Sequence, residues 1–222
     1  DVFSARSRRF DTSLQQALFE DNMPERVYRT LVAQANAGLP TLYRYLRLRK
    51  RLLGIDGELA YYDNYPSLVK LAFPARFSLE ESQRLTLAAL APMGDEYLTL
   101  LKRGFASRWS DPYPRAGKRS GAYVSGGAYD VHPYVLLNHN DDFESLSTYA
   151  HEWGHAVHTM LARANQPYEK SSYSTFIAES ASIANELLLS DYLVRTAKTT
   201  EQKLFYLAHQ LESIRTTFFR QV

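Results

Sequence analysis

The stretch AHEWGHAVH, Ala150–His158, places three of the chain's six histidines within eight positions. It lies in a segment whose pattern predicts a helix, and residues four apart on a helix share one face. His151 and His155 are therefore expected to lie side by side, with Glu152 next to them. An ordinary helix with a solvated polar stripe is the alternative. Gly154 counts against that alternative, because glycine inside a helix lowers its stability by about 1 kcal/mol relative to alanine. We therefore expect another backbone or a ligand to approach closely at Gly154.

The bulk composition is that of a globular protein without a strong electrostatic field. The chain has 222 residues, of which 45% are hydrophobic, and a net charge of +2. Such a charge does not drive binding to nucleic acid or to an anionic membrane. The chain has no cysteine, which excludes disulfides and thiolate metal sites and fits a reducing compartment. It has no apolar run of the roughly 18 residues that a membrane span needs, and we expect a cytoplasmic protein that binds neither nucleic acid nor membrane.

Hydrophobic periodicity and breaker residues predict a mainly α-helical chain. Pro24 suits the start of a helix and Gly38 its end, so a second helix is expected to begin near Pro40. The segment Ser78–Glu81 has the spacing of a capping box, and Pro92 is expected to break the helix that begins there.

The character of the sequence changes between residues 108 and 140. This segment is rich in glycine, proline, serine and aromatic residues, which predicts loops and short strands. A small β hairpin or sheet is expected near 119–138, with SGG as the turn between GAYV and YVLLN. Three helices are predicted after it, over 141–164, 174–196 and 200–222, the first capped by an aspartate.

The H-E-x-x-H pattern of residues 151–155 is typical of a zinc site on a helix. His151 and His155 can direct imidazole nitrogens at one Zn²⁺, and Glu152 can take a proton from a water whose pKa the metal lowers toward about 7. A catalytic zinc usually has three protein ligands. In a chain without cysteine, the third ligand should be a carboxylate or another histidine. Glu179 and Glu186 compete for this place, since they are two helical turns apart and can face the same way.

Two segments, AHEWGHAVHTML and YSTFIAESASIANELLLSDYL, resemble the zinc oligopeptidases of the oligoendopeptidase F and thimet oligopeptidase group. The similarity is closest to oligoendopeptidase F and extends upstream through SGAYVSGGAYDVHPYVLLNHNDD and PERVYRTLVAQANAGLPTLYRYLRLRKRLLG. It implies a multi-helix, zincin-like peptidase catalytic region with one Zn²⁺ per chain. The implied ligands are His151, His155 and Glu179, with Glu152 as the general base. Glu186 then becomes a candidate to accept the second N–H of a ligand histidine, with a solvent-facing or structurally paired glutamate as the alternative.

The glycine-rich stretch is the expected contact for substrate, because an extended peptide can add to a strand edge through backbone hydrogen bonds. A plain surface hairpin is the alternative. The substrate-binding candidates are Gly121, Ala122, Tyr123, Gly126, Gly127 and His158. For His158, a satisfied or exposed histidine is the competing interpretation, and neither His132 nor His139 is expected to be a ligand.

The resemblance implies a zinc metalloendopeptidase that hydrolyses oligopeptide substrates of short to medium length. The family's N-terminal helices and its downstream oxyanion segment have no counterpart here. Residues 1–222 are therefore expected to form a single catalytic region of a longer oligopeptidase, with a helical portion over 1–107, loop and hairpin over 108–140, and zinc-site helices over 141–222. The alternative is a non-catalytic metal-binding helical fragment or interaction module. We expect the apolar surface of the final helix to be covered by the rest of the polypeptide or by self-association.

Overall fold

The computed structural model describes residues 1–69, 71 and 75–222. Within these residues the chain is 64% helical, with eight α-helices and one small three-stranded sheet, which confirms the predicted fold class. The chain separates into two compact units, Asp1–Leu71 with Thr199–Val222, and Ala72–Lys198. The predicted division at residues 107 and 140 stays a prediction.

The first unit consists of helices and turns. Its elements are α1 (Val2–Ser7), α2 (Ser13–Phe19), α3 (Glu25–Leu53), a 3-10 turn (Tyr61–Asn64), α8 (Thr200–Ile214) and a π-helical turn (Arg215–Phe219).

Helix α3 runs without interruption through the positions where two helices were predicted to meet, so that prediction is wrong. Pro40 lies inside the helix, where proline removes one backbone hydrogen bond at a cost of about 3 kcal/mol. The helical turns on both sides outweigh this cost. Gly38 serves packing instead of termination, since a Cβ there would lie 3.1 Å from the Phe219 ring. The helix ends at Gly54, whose φ of 67° is left-handed and favours glycine.

The second unit carries the sheet and the two helices of the H-E-x-x-H region. Its elements are α4 (Leu79–Ala89), a 3-10 turn (Ala91–Met93), α5 (Asp95–Ala106), β1 (Ser110–Asp111), β2 (Tyr123–Ser125), β3 (Tyr134–Leu136), α6 (Phe143–Asn165), a 3-10 turn (Tyr168–Lys170) and α7 (Thr175–Thr196). The predicted caps are present: Ser78 Oγ accepts from the Glu81 N–H at 3.2 Å, and Asp142 Oδ1 accepts from the Ser145 N–H at 2.8 Å.

The sheet has the order β1-β3-β2, with β3 parallel to β1 and antiparallel to β2. The predicted hairpin is confirmed, but the predicted tight SGG turn is wrong, because residues 126–133 connect the two strands. This longer connection is held by side chains: Arg163 donates to the carbonyls of Gly126 and Val131. Strand β2 has a single partner among the described residues, so it forms an edge of the sheet.

Helix α6 passes through the core of the second unit. Trp153 is fully buried among Leu101, Val135 and Tyr149, and its ring occupies the space that a side chain at Gly104 would fill. This packing holds one face of α6 in the core and presents the face of His151 and His155 to a cleft. None of the helices that the structure describes is both long and apolar enough to cross a membrane. The cytoplasmic location stays a prediction.

Candidate active site

Helices α6 and α7 pack closely at Gly154. This packing brings polar side chains of the two helices close to one another. A Cβ at Gly154 would lie 2.8 Å from the Ser182 Cα and 3.1 Å from the Ala181 carbonyl oxygen. The expected close approach of another backbone is therefore confirmed. Asn185, fully buried on α7, fixes the contact, because its amide donates to the Ala150 carbonyl at 3.0 Å and accepts from the Tyr97 hydroxyl at 2.8 Å.

The structure brings His151, His155 and Glu179 together at one point of this helix pair. The two histidine Nε2 atoms are 3.2 Å apart, and Glu179 Oε2 lies 3.4 Å from His151 Nε2 and 3.6 Å from His155 Nε2. Ligands arranged tetrahedrally at about 2.0–2.1 Å from a zinc ion are separated by about 3.4 Å. Two imidazole nitrogens and a carboxylate oxygen at these separations fit such an ion in both chemistry and spacing.

Further side chains on the same helices contact these three groups. Ser182 is fully buried, and its hydroxyl lies 2.9 Å from Glu179 Oε2. Glu186 lies behind the His151 ring, with Oε2 3.5 Å from Nδ1, and its other oxygen accepts from the Ser147 hydroxyl at 3.2 Å. The two competing glutamates thus occupy different places: Glu179 lies by both Nε2 atoms, and Glu186 lies on the Nδ1 side of one histidine.

The carboxyl group of Glu152 lies in a buried position. Its side chain is 6% exposed, and its Oε2 has no hydrogen-bond partner among the described residues. Burial raises the pKa of Glu152 to about 7, and the negative charges of Glu179 and Glu186 add to the shift, while His151 opposes it. A carboxyl group with its pKa near neutrality can both accept and release a proton.

The two histidines of the motif differ in their electrostatic surroundings. Burial lowers the pKa of His151, but the hydrogen bond to Glu186 and the charges of Glu152 and Glu179 outweigh it, so the pKa is raised overall. For His155, burial and the neighbouring His151 lower the pKa. A cation bound between the imidazoles would favour the neutral rings and the charged carboxylates.

A cleft of about 590 Å³ opens above His151, Glu152 and His155. Three of the predicted substrate-binding residues line it, namely Ala122, Tyr123 and Gly126. Gly121 lines a neighbouring cavity of about 300 Å³, whereas Gly127 and His158 line neither of these two cavities. The ring of His158 instead stacks on Tyr173, with 4.0 Å between the ring centroids.

The sequence interpretation missed Tyr173, Thr159 and Arg163, which also line the cleft. Tyr173 precedes α7 on an irregular connection, where hydrophobic periodicity gives no signal. Thr159 lies on the face of His151 and His155 at the same spacing of four residues, and this spacing could have identified it.

The remaining two histidines of the second unit lie in structural surroundings. His139 is 4% exposed, and its Nε2 lies 3.1 Å from the Ser82 hydroxyl. His132 is stacked on Trp109, with 4.5 Å between the ring centroids. Neither belongs to the group of possible metal ligands among the described residues.

The chain is similar over its whole length to known peptidases. The sequence profile of Peptidase family M3 matches residues 2–222. Oligopeptidase PepF of Bacillus subtilis is 44% identical over 221 residues, which cover 100% of this chain and 32% of that protein. Group B oligopeptidase PepB of Streptococcus agalactiae is 39% identical, with 99% of this chain and 36% of that protein covered. The chain therefore spans about a third of the length of these relatives.

Solved structures show the same similarity. The crystal structure of oligoendopeptidase-F from Enterococcus faecium has a TM-score of 0.63 and 29% identity, covering 99% of this chain and 30% of that one. The crystal structure of a protein from Chlamydophila abortus, described as a peptidase, has a TM-score of 0.85 and 36% identity, with 99% and 36% covered.

Proposed function

The chain belongs to Peptidase family M3, and on that premise we propose that it carries the catalytic centre of a zinc-dependent endopeptidase acting on peptides of short to medium length. The observation that carries this proposal is the group of His151, His155 and Glu179, whose ligand atoms are spaced as a tetrahedral zinc site requires. The relatives named oligopeptidase and oligoendopeptidase support the substrate class.

One zinc ion per chain would be held by these three side chains. When bound, it supplies a Lewis acid that polarises the scissile carbonyl and lowers the pKa of a water molecule. His151 needs a free Nε2 lone pair to bind a metal, and donation of its Nδ1–H to Glu186 fixes that tautomer. The Ser182 hydroxyl, on the same helix as Glu179, lies within hydrogen-bond distance of both the carboxylate and the main-chain carbonyl of Glu179.

Glu152 is the proposed general base. It follows His151 directly on α6 and lines the cleft. Burial raises its pKa to about 7, so its carboxyl group can take up and release a proton near neutral pH. The carboxylate takes a proton from the attacking water as the oxygen bonds to the carbonyl carbon. The same proton then passes to the amine nitrogen as the C–N bond breaks.

The edge of β2 is the proposed contact for the substrate backbone. Ala122, Tyr123 and Gly126 line the cleft beside the two motif histidines, and β2 pairs on one side only among the described residues. An extended peptide can pair with such an edge through its main chain. Recognition of this kind depends little on side chains, which suits an enzyme that accepts varied oligopeptides.

Metal analysis and a peptide assay on the complete natural polypeptide test this function. We expect about one zinc per chain, cleavage of internally quenched peptides, loss of cleavage with a chelator and recovery on adding zinc. His155→Ala should lose the metal, whereas His158→Phe, which keeps an aromatic ring against Tyr173, should retain it. Full zinc content in His155→Ala, or zinc binding by the wild type without any cleavage, would contradict the proposal.

It stays a prediction that the rest of the polypeptide, or a second copy of the chain, covers the apolar side of α8. Leu204, Leu211 and Ile214 are 50%, 43% and 54% exposed, which supports an apolar surface that further polypeptide or a second copy could cover. The cytoplasm is the compartment that we propose.

A further inference from the structure

Tyr173 brings a phenol hydroxyl into the cleft from outside the two helices and the sheet. It lies on the connection between α6 and α7 and lines the same cavity as His155 and Glu179. The side chain is half-buried. Its position therefore allows contact with a molecule bound in the cleft.

The hydrogen bonds of Thr159 determine how the Tyr173 hydroxyl is oriented. Thr159 Oγ1 donates its proton to the His155 carbonyl at 2.9 Å, and it lies 2.5 Å from the Tyr173 hydroxyl. A threonine hydroxyl has one proton, so Tyr173 must be the donor in the second contact. Both lone pairs of the tyrosine oxygen remain available, because no other hydrogen bond to it occurs among the described residues.

The ring of Tyr173 is held from a second direction by His158. The two rings are stacked, with 4.0 Å between centroids and an angle of 27° between their planes. The contact from Thr159 and the contact from His158 together fix both the hydroxyl and the ring. A phenol held in this way acts as a hydrogen-bond acceptor of fixed position.

A bound peptide offers donors that such an acceptor fits. In an extended peptide the N–H groups of alternate residues point to opposite sides. The edge of β2 can satisfy the N–H groups on one side only. The groups on the other side need acceptors from the helices or the connection between them, and an unsatisfied donor in a closed cleft is costly.

We propose that the Tyr173 hydroxyl is a substrate-binding group that accepts a hydrogen bond from one main-chain N–H of the peptide, with Thr159 and His158 as the residues that position it. The inference rests on the proposed peptidase function, since a peptide in the cleft is its premise. It assigns a specificity for backbone amides at one substrate position, independent of the side chain there.

The test pairs Tyr173→Phe with peptides in which one amide N–H at a time is replaced by an ester oxygen, leaving the scissile bond intact. Dissociation constants are measured in the complete natural polypeptide carrying Glu152→Gln, so that binding is observed without hydrolysis. Tyr173→Phe should weaken binding of the all-amide peptide by about 3- to 10-fold. One ester peptide should bind equally with and without the Tyr173 hydroxyl. Tyr168→Phe, on the same connection and 68% exposed, should change binding by less than about twofold.

A purely structural role would give a different pattern. If Tyr173 only anchors the connection, Tyr173→Phe weakens every peptide of the set by the same factor, and this result would overturn the inference. An unchanged dissociation constant for the all-amide peptide would overturn it as well. The proposed peptidase function is tested separately, by cleavage with the wild type. The binding measurements do not require turnover, so a wild type that cleaves no peptide contradicts the proposed function and not the role of Tyr173.

Discussion

The two sides of the cleft are held in place by different kinds of contact. On the helix side, α6 and α7 meet through backbone, with Gly154 against the Ser182 Cα. The buried Asn185 of α7 bonds to Ala150 on α6 and to Tyr97 on α5. On the strand side, β2 and β3 are three residues each. Their connection is held by the long side chain of Arg163 from α6.

The difference matches what each side has to hold. Metal ligands must stay within a few tenths of an ångström of their positions, and closely packed helices provide that because a core resists small displacements. A peptide that varies in sequence needs a strand edge that adjusts. Contacts made by flexible side chains at the surface allow such adjustment.

The largest effect is expected from a change on the helix side that leaves its packing intact. Glu152→Gln keeps the shape of the side chain but removes the base, so kcat/KM for a quenched peptide should fall by about 10²- to 10⁴-fold. Zinc content should not change, because Glu152 lies outside the proposed ligand set. Loss of zinc together with activity would instead identify Glu152 as a ligand or a structural group.

A second change breaks the helix contact itself. Gly154→Ala places a Cβ 2.8 Å from the Ser182 backbone, which cannot move aside as a side chain could. The gain in helix propensity does not offset this overlap, so we expect a loss of about 1–3 kcal/mol in the free energy of unfolding and lower zinc occupancy.

The matched control for that change lies on the strand side. At Gly127 no atom of the described residues, apart from its neighbours in the chain, lies within 4 Å of an added Cβ. Gly127→Ala should therefore stay within about 0.5 kcal/mol of the wild type. Chemical denaturation measures both variants. Equal losses for the two substitutions would show that the two sides of the cleft do not differ in the way described.

A third change keeps the backbone contact between Gly154 and Ser182 but removes the hydroxyl group that bonds to the proposed ligand Glu179. Ser182→Ala removes the hydrogen bond to Glu179, and zinc affinity should fall by about 10-fold. Ser180→Ala on the same helix is the control, because its exposed hydroxyl donates to the Phe176 carbonyl and not to a proposed ligand. Competition with a chelator gives both affinities, and an equal affinity in the two variants would exclude the proposed role of Ser182.

The helix side of the cleft could be predicted from the sequence to a large extent. The spacing of His151 and His155, the cap at Asp142 and the unusual Gly154 are local signals, and the structure agrees with each of them. No local signal in the sequence decides whether Glu179 or Glu186 is the third ligand. The choice depends on how α7 is rotated against α6, and only the resemblance to known peptidases favoured Glu179.

The strand side could be predicted less well, because its structure depends on contacts between distant residues. β1 is two residues long, too short for an alternating pattern, and it exists because β3 pairs with it. The long connection of the hairpin depends on Arg163, more than thirty residues away. The first unit gives a similar case. Gly38 and Pro40 suggested a helix break that does not occur, because the contact of Gly38 with the distant Phe219 is not visible in the local sequence.

The smallest effect is expected from the strand side. Arg163→Met keeps the aliphatic part of the side chain but removes the hydrogen bonds to the carbonyls of Gly126 and Val131. The connection then loses its tether, and β2 no longer holds its edge at a fixed distance from the helices. KM for quenched peptides should rise by about 2- to 10-fold, with zinc content and the free energy of unfolding near their wild-type values. Arg195→Met removes an exposed pair with Asp191 on α7 and should leave KM unchanged. If Arg163→Met lowers zinc occupancy as much as Gly154→Ala does, the strand side supports the metal ligands too, and the two sides act as one structure.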